Sequence, residues 1–164
     1  MKSYALIILK PDALAEQLVE PIIKRFIEHD YQIEMIGFKC PDEGLILTHY
    51  GHVVEKLGDP FKKMAIAAFV GKPMIPIILS QKGADAIANS RELTGATDPA
   101  KALKGTIRGD LGTDSMEKAD RDGRCCFNLI HCSDSNEAIL TEMKLWFNAK
   151  TYEAFAPLIS PTDE

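Results

Sequence analysis

The chain contains no apolar run long enough to cross a bilayer. Its first such stretch, Ala5 to Leu9, is too short for a membrane span or a signal-peptide core, and no small-residue cleavage site follows it. Cysteine is scarce, with four in 164 residues, and there is no Cys-x-x-Cys pair. Cys125, Cys126, His131 and Cys132 crowd together, but adjacent ligands fit a tetrahedral zinc site badly. Buried or incidental thiols are the simpler reading. The expectation is a soluble, cytoplasmic protein with reduced thiols and no structural metal.

An excess of positive charge is also missing. The formal net charge is -5, which disfavours general nucleic-acid binding because phosphate contacts need basic patches. A phosphate ligand must then meet a few local cations. There is no linker, internal repeat or low-complexity segment. With 46% hydrophobic and 26% charged residues, the composition is close to the globular average, and residues 1–164 fit one domain. A Walker A loop and a protein-kinase glycine-rich loop are both absent.

The secondary-structure signals that are present alternate between strand and helix. Tyr4 to Leu9 reads as a strand apolar on both faces, stopped by Pro11. Ile22, Ile23, Phe26 and Ile27 form one stripe of a helix over about residues 20–29. Tyr31 to Lys39 alternates as a half-buried strand, with Tyr31, Ile33 and Met35 on one face. Residues 42–70 look helical in short pieces, broken at Gly51, Gly58 and Pro60. Met74 to Leu79 is a third strand in which Pro76 calls for a bulge. A helix over Gly83 to Leu93 follows.

Residues 94–126 are rich in loop punctuation, and Cys126 to Ile130 is a short fourth strand. Asp134 and Glu137 suggest an acidic capping box for a last helix that turns Ile139, Met143, Trp146 and Phe147 inward. Residues 148–164 read as a polar, proline-containing tail. This order points to a split βαβ unit and an α+β sandwich.

The sharpest local feature is Asn128-Leu129-Ile130-His131-Cys132-Ser133-Asp134-Ser135. It sets His131 at a strand end, just before a helix N-terminus that favours an anion beside the imidazole. A reversibly phosphorylated imidazole is such an anion, although a core histidine fits the same position. Glu142 borders the apolar stripe of the following helix, where a carboxylate is costly unless paired. Paired with His131, with Ser133 between them, it would fix the tautomer and leave the other ring nitrogen to attack. Lys10, Arg91 and Arg108 lie on separate segments and could together clamp a polyphosphate.

Six stretches taken together resemble nucleoside diphosphate kinases from about Tyr4 to Phe147. They are Lys10-Pro11-Asp12-Ala13, His49-Tyr50, Pro60-Phe61, Arg91-x-x-Thr94-Gly95-Ala96-Thr97-Asp98-Pro99, Gly105-Thr106-Ile107-Arg108-Gly109-Asp110, and Asn128-x-x-His131-x-Ser133-Asp134-Ser135. The resemblance implies a ferredoxin-like βαββαβ fold, a four-stranded antiparallel sheet covered by helices. It implies a ping-pong reaction in which a nucleoside triphosphate phosphorylates His131 and a nucleoside diphosphate then takes the group. By the same resemblance, Glu142 and Ser133 orient the ring. Lys10, Tyr50 and Asn128 meet the transferred phosphate or the ribose 3′-hydroxyl. Arg91, Thr97 and Arg108 hold the outer phosphates, and Phe61 stacks on the base. Mg²⁺ arrives with the nucleotide, so no protein metal ligands are expected. A homo-oligomer built from dimers, a hexamer or a tetramer, is implied as well.

The chain also departs from that pattern. The stretch from Asp110 to Asn128 is about ten residues longer than the usual spacing, with a charged insertion near residues 113–126. Lys62 replaces a common second aromatic, Ala65 replaces a larger aliphatic, and Lys104 stands where proline is usual. These changes keep a second reading in view, a nucleotide-binding or scaffold protein of weakened catalysis on the same fold. An RNA-binding module is disfavoured by the acidic charge and the lack of an aromatic RNP-like strand.

Overall fold

The computed structural model describes residues 1–159. The chain begins with β1 (Lys2–Leu9), α1 (Pro11–Ala15), α2 (Val19–Glu28) and β2 (Gln32–Ile36). Three short helices follow, α3 (Glu43–His49), α4 (Gly51–Leu57) and α5 (Asp59–Phe69), then β3 (Ile75–Lys82) and α6 (Ala86–Thr94). A 3₁₀ turn at Pro99–Lys101 leads to α7 (Ile107–Leu111), α8 (Met116–Asp122), β4 (Ile130–Cys132), α9 (Asn136–Trp146) and α10 (Ala149–Ile159).

The continuous apolar run of β1 decides the architecture, because it needs cover on both faces. Ala5, Ile7 and Leu9 pack into a cluster with Ile22 and Phe26 of α2, Leu93 of α6 and Ile107 of α7. Leu6 and Ile8 pack on the other side against Ile46 of α3, Ala65 of α5, and Met143 and Trp146 of α9. Each fully buried Leu or Ile contributes roughly 1.5–3 kcal/mol relative to exposure. The four strands run in the order β2-β3-β1-β4, every neighbouring pair antiparallel. This is the expected α+β, ferredoxin-like arrangement.

Several sequence expectations shift in detail. Pro76 needs no bulge of its own. It accepts from the Gly37 N–H at 2.8 Å, so its missing donor faces the margin that β2 has already left. The bulge lies in β2 instead, between Ile33 and Met35, and it breaks the expected alternation. Pro60 does not interrupt a helix but sits in the first turn of α5, where its absent N–H costs nothing. The break before it is Gly58, at φ 72.

The segment 94–126 carries two short helices that glycine punctuation hid. Their caps are side chains: Thr106 accepts from the Gly109 N–H and Ser115 from the Lys118 N–H. The expected strand over Cys126 to Ile130 is displaced to Ile130–Cys132, which puts His131 inside the strand, opposite Ile8, rather than after its end. The helix that follows is capped by Ser135, which accepts from the Ala138 N–H at 3.1 Å, and not by Asp134. Residues 149–159 are not tail but α10, packed through Ile159 onto the same core as α9. Residues 160–164 of the expected tail lie outside the described residues.

Candidate active site

His131 is held from one side only. Its Nε2 lies 2.9 Å from Glu142 Oε1, and the Ser133 hydroxyl donates to Glu142 Oε2. Strand β4 supplies His131, and helix α9, begun by its Ser135 cap, brings Glu142 back over it. Burial pushes the Glu142 carboxyl up, but the hydrogen bond and charge of His131, aided by Ser133, outweigh it and leave the pKa below the usual value. An ionised carboxylate only accepts, so Nε2 carries the proton and the Nδ1 lone pair is left for other chemistry. Among the described residues Nδ1 has no hydrogen-bond partner.

A second histidine stands beside the first. His49, at the end of α3, meets His131 edge-on with ring centroids 4.6 Å apart. Its Nδ1 accepts from the Trp146 indole N–H at 3.1 Å. Burial, and then the neighbouring His131, lower its pKa to about 3, so it stays neutral. No sequence signal had assigned His49 chemistry, since its partner Trp146 reads only as a core position.

The basic residues converge from three segments. Lys10, at the end of β1, is buried and donates from Nζ to Asn128 Oδ1 at 2.7 Å. Its Nζ also lies 5.7 Å from the centre of the Phe69 ring. Burial, then the charge of Arg108, lower its pKa to about 8. Arg108 is fixed by backbone carbonyls of Asn128, Gly95 and Ile130, with its Nε 3.0 Å from the first. Arg91 is exposed and reaches the Cys132 carbonyl at 3.5 Å. Thr97 is exposed, and its carbonyl accepts from Asn128 Nδ2 at 3.0 Å.

Tyr50 stacks on Phe69 with ring centroids 5.3 Å apart, and its buried hydroxyl has no partner among the described residues. An unsatisfied buried hydroxyl costs about 1–3 kcal/mol, which a ligand oxygen would relieve. Burial pushes the phenol pKa up, so the group remains a donor.

These side chains line one cleft of about 760 Å³, which Lys10, Tyr50, Arg91, Thr97, Arg108, Asn128, His131 and Glu142 share. That volume lies within the range of small-molecule sites, roughly 300–1,000 Å³. Thr94, part of the quoted stretch from Arg91 but given no role there, also lines it, as does His52, which carries no signal in the sequence. Ser133 sits behind the wall, acting through Glu142. Phe61 does not line the cleft; it lies edge-on to Tyr50, with centroids 6.0 Å apart.

One group in the cleft has the spacing of metal ligands, His49, His131 and Glu142. Two of its three members are already committed. Glu142 accepts from His131, and His49 accepts from Trp146 through Nδ1, which leaves a proton on its Nε2. A hard cation such as Mg²⁺ wants oxygen ligands, and this trio offers one carboxylate that is already in use.

The family model for nucleoside diphosphate kinase matches residues 3–152. The chain belongs to the nucleoside diphosphate kinase family. Members of this family are phosphotransferases. The chain is 37% identical over 142 residues to a nucleoside diphosphate kinase of Methanobrevibacter smithii, covering 87% of this chain and 85% of that one. It is 35% identical to the enzyme of Mycolicibacterium vanbaalenii, covering 90% and 98% of the two chains. Among solved structures it resembles the nucleoside diphosphate kinase of Borrelia burgdorferi, a transition-state mimic with bound vanadate and ADP. The TM-score there is 0.83 at 26% identity, over 91% of this chain and 89% of that one. A kinase from Pyrobaculum aerophilum matches with a TM-score of 0.77 at 28% identity, over 92% and 98%.

In this chain the charged stretch 113–126 carries an ordered element. Helix α8 is tied down where Arg124 pairs with Asp114 at 2.6 Å and Asp114 accepts from the Phe127 N–H at 2.8 Å. The Arg124 guanidinium beside Asp114 holds that carboxyl well below the usual range. None of residues 113–126 lines the cleft.

Proposed function

We propose that the chain moves the terminal phosphoryl group of a nucleoside triphosphate to a nucleoside diphosphate by way of His131. The observation that carries this reading is the hydrogen bond from His131 Nε2 to Glu142, which leaves Nδ1 as the nucleophile in a cleft with a basic wall. Nδ1 attacks the γ-phosphorus, the bond from that phosphorus to the bridging oxygen breaks, and the diphosphate leaves with the electron pair. The ring, now cationic until its Nε2 proton shifts toward Glu142, is stabilised by that carboxylate. Attack by the terminal oxygen of a second diphosphate reverses the step.

The side chains contribute mainly position and charge, which is what phosphoryl transfer requires. Lys10, Asn128 and the unpartnered Tyr50 hydroxyl suit the transferred group or the ribose 3′-hydroxyl. Arg91, Thr97 and Arg108 suit the outer phosphates. Phe61, beyond Tyr50, suits a base resting at the outer mouth, and its π-face accepts any base. The nucleotide would enter as its Mg²⁺ complex, the cation supplying charge neutralisation at the phosphates, and the exposed carboxylates of Asp134 and Glu137, which line the cleft, are the ones that would be free to approach it.

Assembly as a homo-oligomer built from dimers is supported by apolar side chains left exposed on and beside edge strand β2, Ile36 and Phe38 among them. Light scattering of the purified chain checks it: a mass of one chain rejects the oligomer. A cytoplasmic setting is supported by four cysteines that are all free thiols. No helix among the described residues is long and apolar enough to cross a membrane.

The test of the activity is transfer from γ-labelled ATP, with magnesium, to several nucleoside diphosphates. Label should reach each acceptor. Nucleotide binding without any transfer would reject the enzyme and leave the scaffold reading.

A further inference from the structure

Asp12 belongs to the stretch Lys10-Pro11-Asp12-Ala13, yet it does not line the cleft and has no part in the reaction as written. Its Oδ2 instead accepts from the backbone N–H of Leu129 at 2.9 Å. That amide belongs to an unusual residue. Leu129 has φ 71, a left-handed conformation that a leucine side chain resists. The Ile130 N–H donates to the Asn128 carbonyl at 2.8 Å, closing a three-residue turn with Leu129 at its centre. The positive-φ form of this turn is rare and strained, and it survives only where neighbours over-determine it.

The neighbours that do so are in place. Asp12 takes the Leu129 N–H, and the Lys10 N–H donates to the Leu129 carbonyl at 2.8 Å. One short segment thus grips the strained residue at both ends. Arg108 Nε donates to the Asn128 carbonyl at 3.0 Å from the other side. The Leu129 side chain is buried in the core, which anchors the turn further. The turn opens with Asn128, whose side chain accepts from Lys10 Nζ. Directly after it begins the strand that carries His131.

We propose that Asp12 is a positioning residue for phosphoryl transfer, holding the strained turn at Leu129 so that Asn128 meets Lys10 and His131 enters its strand in register. The inference rests on the phosphohistidine reading above. Burial raises the Asp12 carboxyl and the Leu129 N–H pulls it back, as expected of a group placed for one backbone contact. Without that acceptor, Leu129 loses the partner of its amide and relaxes toward negative φ. The relaxation swings the Asn128 side chain off Lys10 and loosens its bond to the Thr97 carbonyl, while Arg91, which reaches Cys132 beyond the turn, stays as it was.

The test uses the full chain with Asp12→Ala and Asp12→Asn, each alone and combined with Asn128→Ala. Three quantities are read: the single-turnover rate of His131 labelling at saturating ATP, the affinity for ADP, and the thermal midpoint. Asp12→Ala should slow labelling about tenfold while ADP affinity changes less than about threefold, the split expected when the transition state alone loses support. Asp12→Asn keeps an acceptor oxygen and should recover most of the loss.

In the Asn128→Ala background, Asp12→Ala should cost less than about threefold, because both act through one contact. Full additivity in that background, or a folded Asp12→Ala protein labelled at the parent rate, overturns the proposal. Should the alanine variant not fold, Asp12→Ser, too short to reach the Leu129 amide, takes its place with the same two outcomes. A parent protein that takes no label at all refutes the phosphohistidine reading instead, so the two failures are distinct.

Discussion

Replacing Glu142 by alanine removes the one side chain among the described residues that holds His131 in the attacking tautomer. The carboxylate accepts two hydrogen bonds, from His131 Nε2 at 2.9 Å and from the Ser133 hydroxyl. Hydrogen bonds to a charged partner contribute about 1.5–3 kcal/mol each. The His131 bond strengthens as the ring gains positive character during attack, so its loss falls mainly on the barrier. Taking about 2 kcal/mol for it gives a rate lower by roughly thirtyfold, at 1.36 kcal/mol per tenfold. Glu142→Gln keeps an acceptor oxygen but not the charge, and a loss of about 1 kcal/mol predicts roughly a fivefold slowing.

The assay is rapid-quench labelling of the protein with γ-labelled ATP across a range of concentrations. The maximal labelling rate should fall in the order parent, Gln, Ala, with the half-saturating ATP concentration nearly unchanged, because Glu142 bonds to the ring and not to phosphate. An alanine variant labelled within twofold of the parent rate, or a loss confined to ATP affinity, would refute the reasoning.

Other expectations follow from the same geometry. Lys10 titrates near pH 8 in the free protein, so kcat/KM should fall on the alkaline side with a midpoint close to that value, and Lys10→Arg should move the limb upward; no decline below pH 10 contradicts it. His49 has a folded pKa of about 3, so between that value and its unfolded pKa the unfolded chain alone binds the proton and stability is lost on acidification. The loss is about 1.4 kcal/mol per pH unit below roughly pH 6.5, and His49→Gln should flatten the slope seen by urea unfolding at pH 7 and pH 5. Ser135→Ala removes the N-cap of α9 and should cost about 1 kcal/mol of stability by urea unfolding, with nucleotide affinity unchanged.

The cleft was more legible in the sequence than the strand that carries it. Lys10, Arg91, Arg108, His131 and Glu142, legible from their residue types and settings, and Tyr50, Thr97 and Asn128, legible only through the family resemblance, all line one cavity. The strand of His131 was misplaced because apolar residues 126–130 imitate a buried run. Their amides at Phe127 and Leu129 are in fact taken by Asp114 and Asp12, partners far away in sequence. Periodicity reports which face is buried and is silent on such crossings. Helix α10 was hidden by Pro157 within it, and α7 and α8 by the glycines around them. His49, quoted in the stretch His49-Tyr50, carries no role there because a buried neutral histidine has no sequence signature apart from its packing partner.

The central claim is that one ring nitrogen of His131 carries the phosphoryl group. Incubation with ATP and magnesium without an acceptor, followed by phosphorus NMR of the unfolded protein at alkaline pH, identifies both residue and atom. The account predicts one acid-labile phosphohistidine, attached at Nδ1, absent from His131→Ala and discharged by added nucleoside diphosphate. Phosphate on Nε2, on another residue, or on none would contradict it.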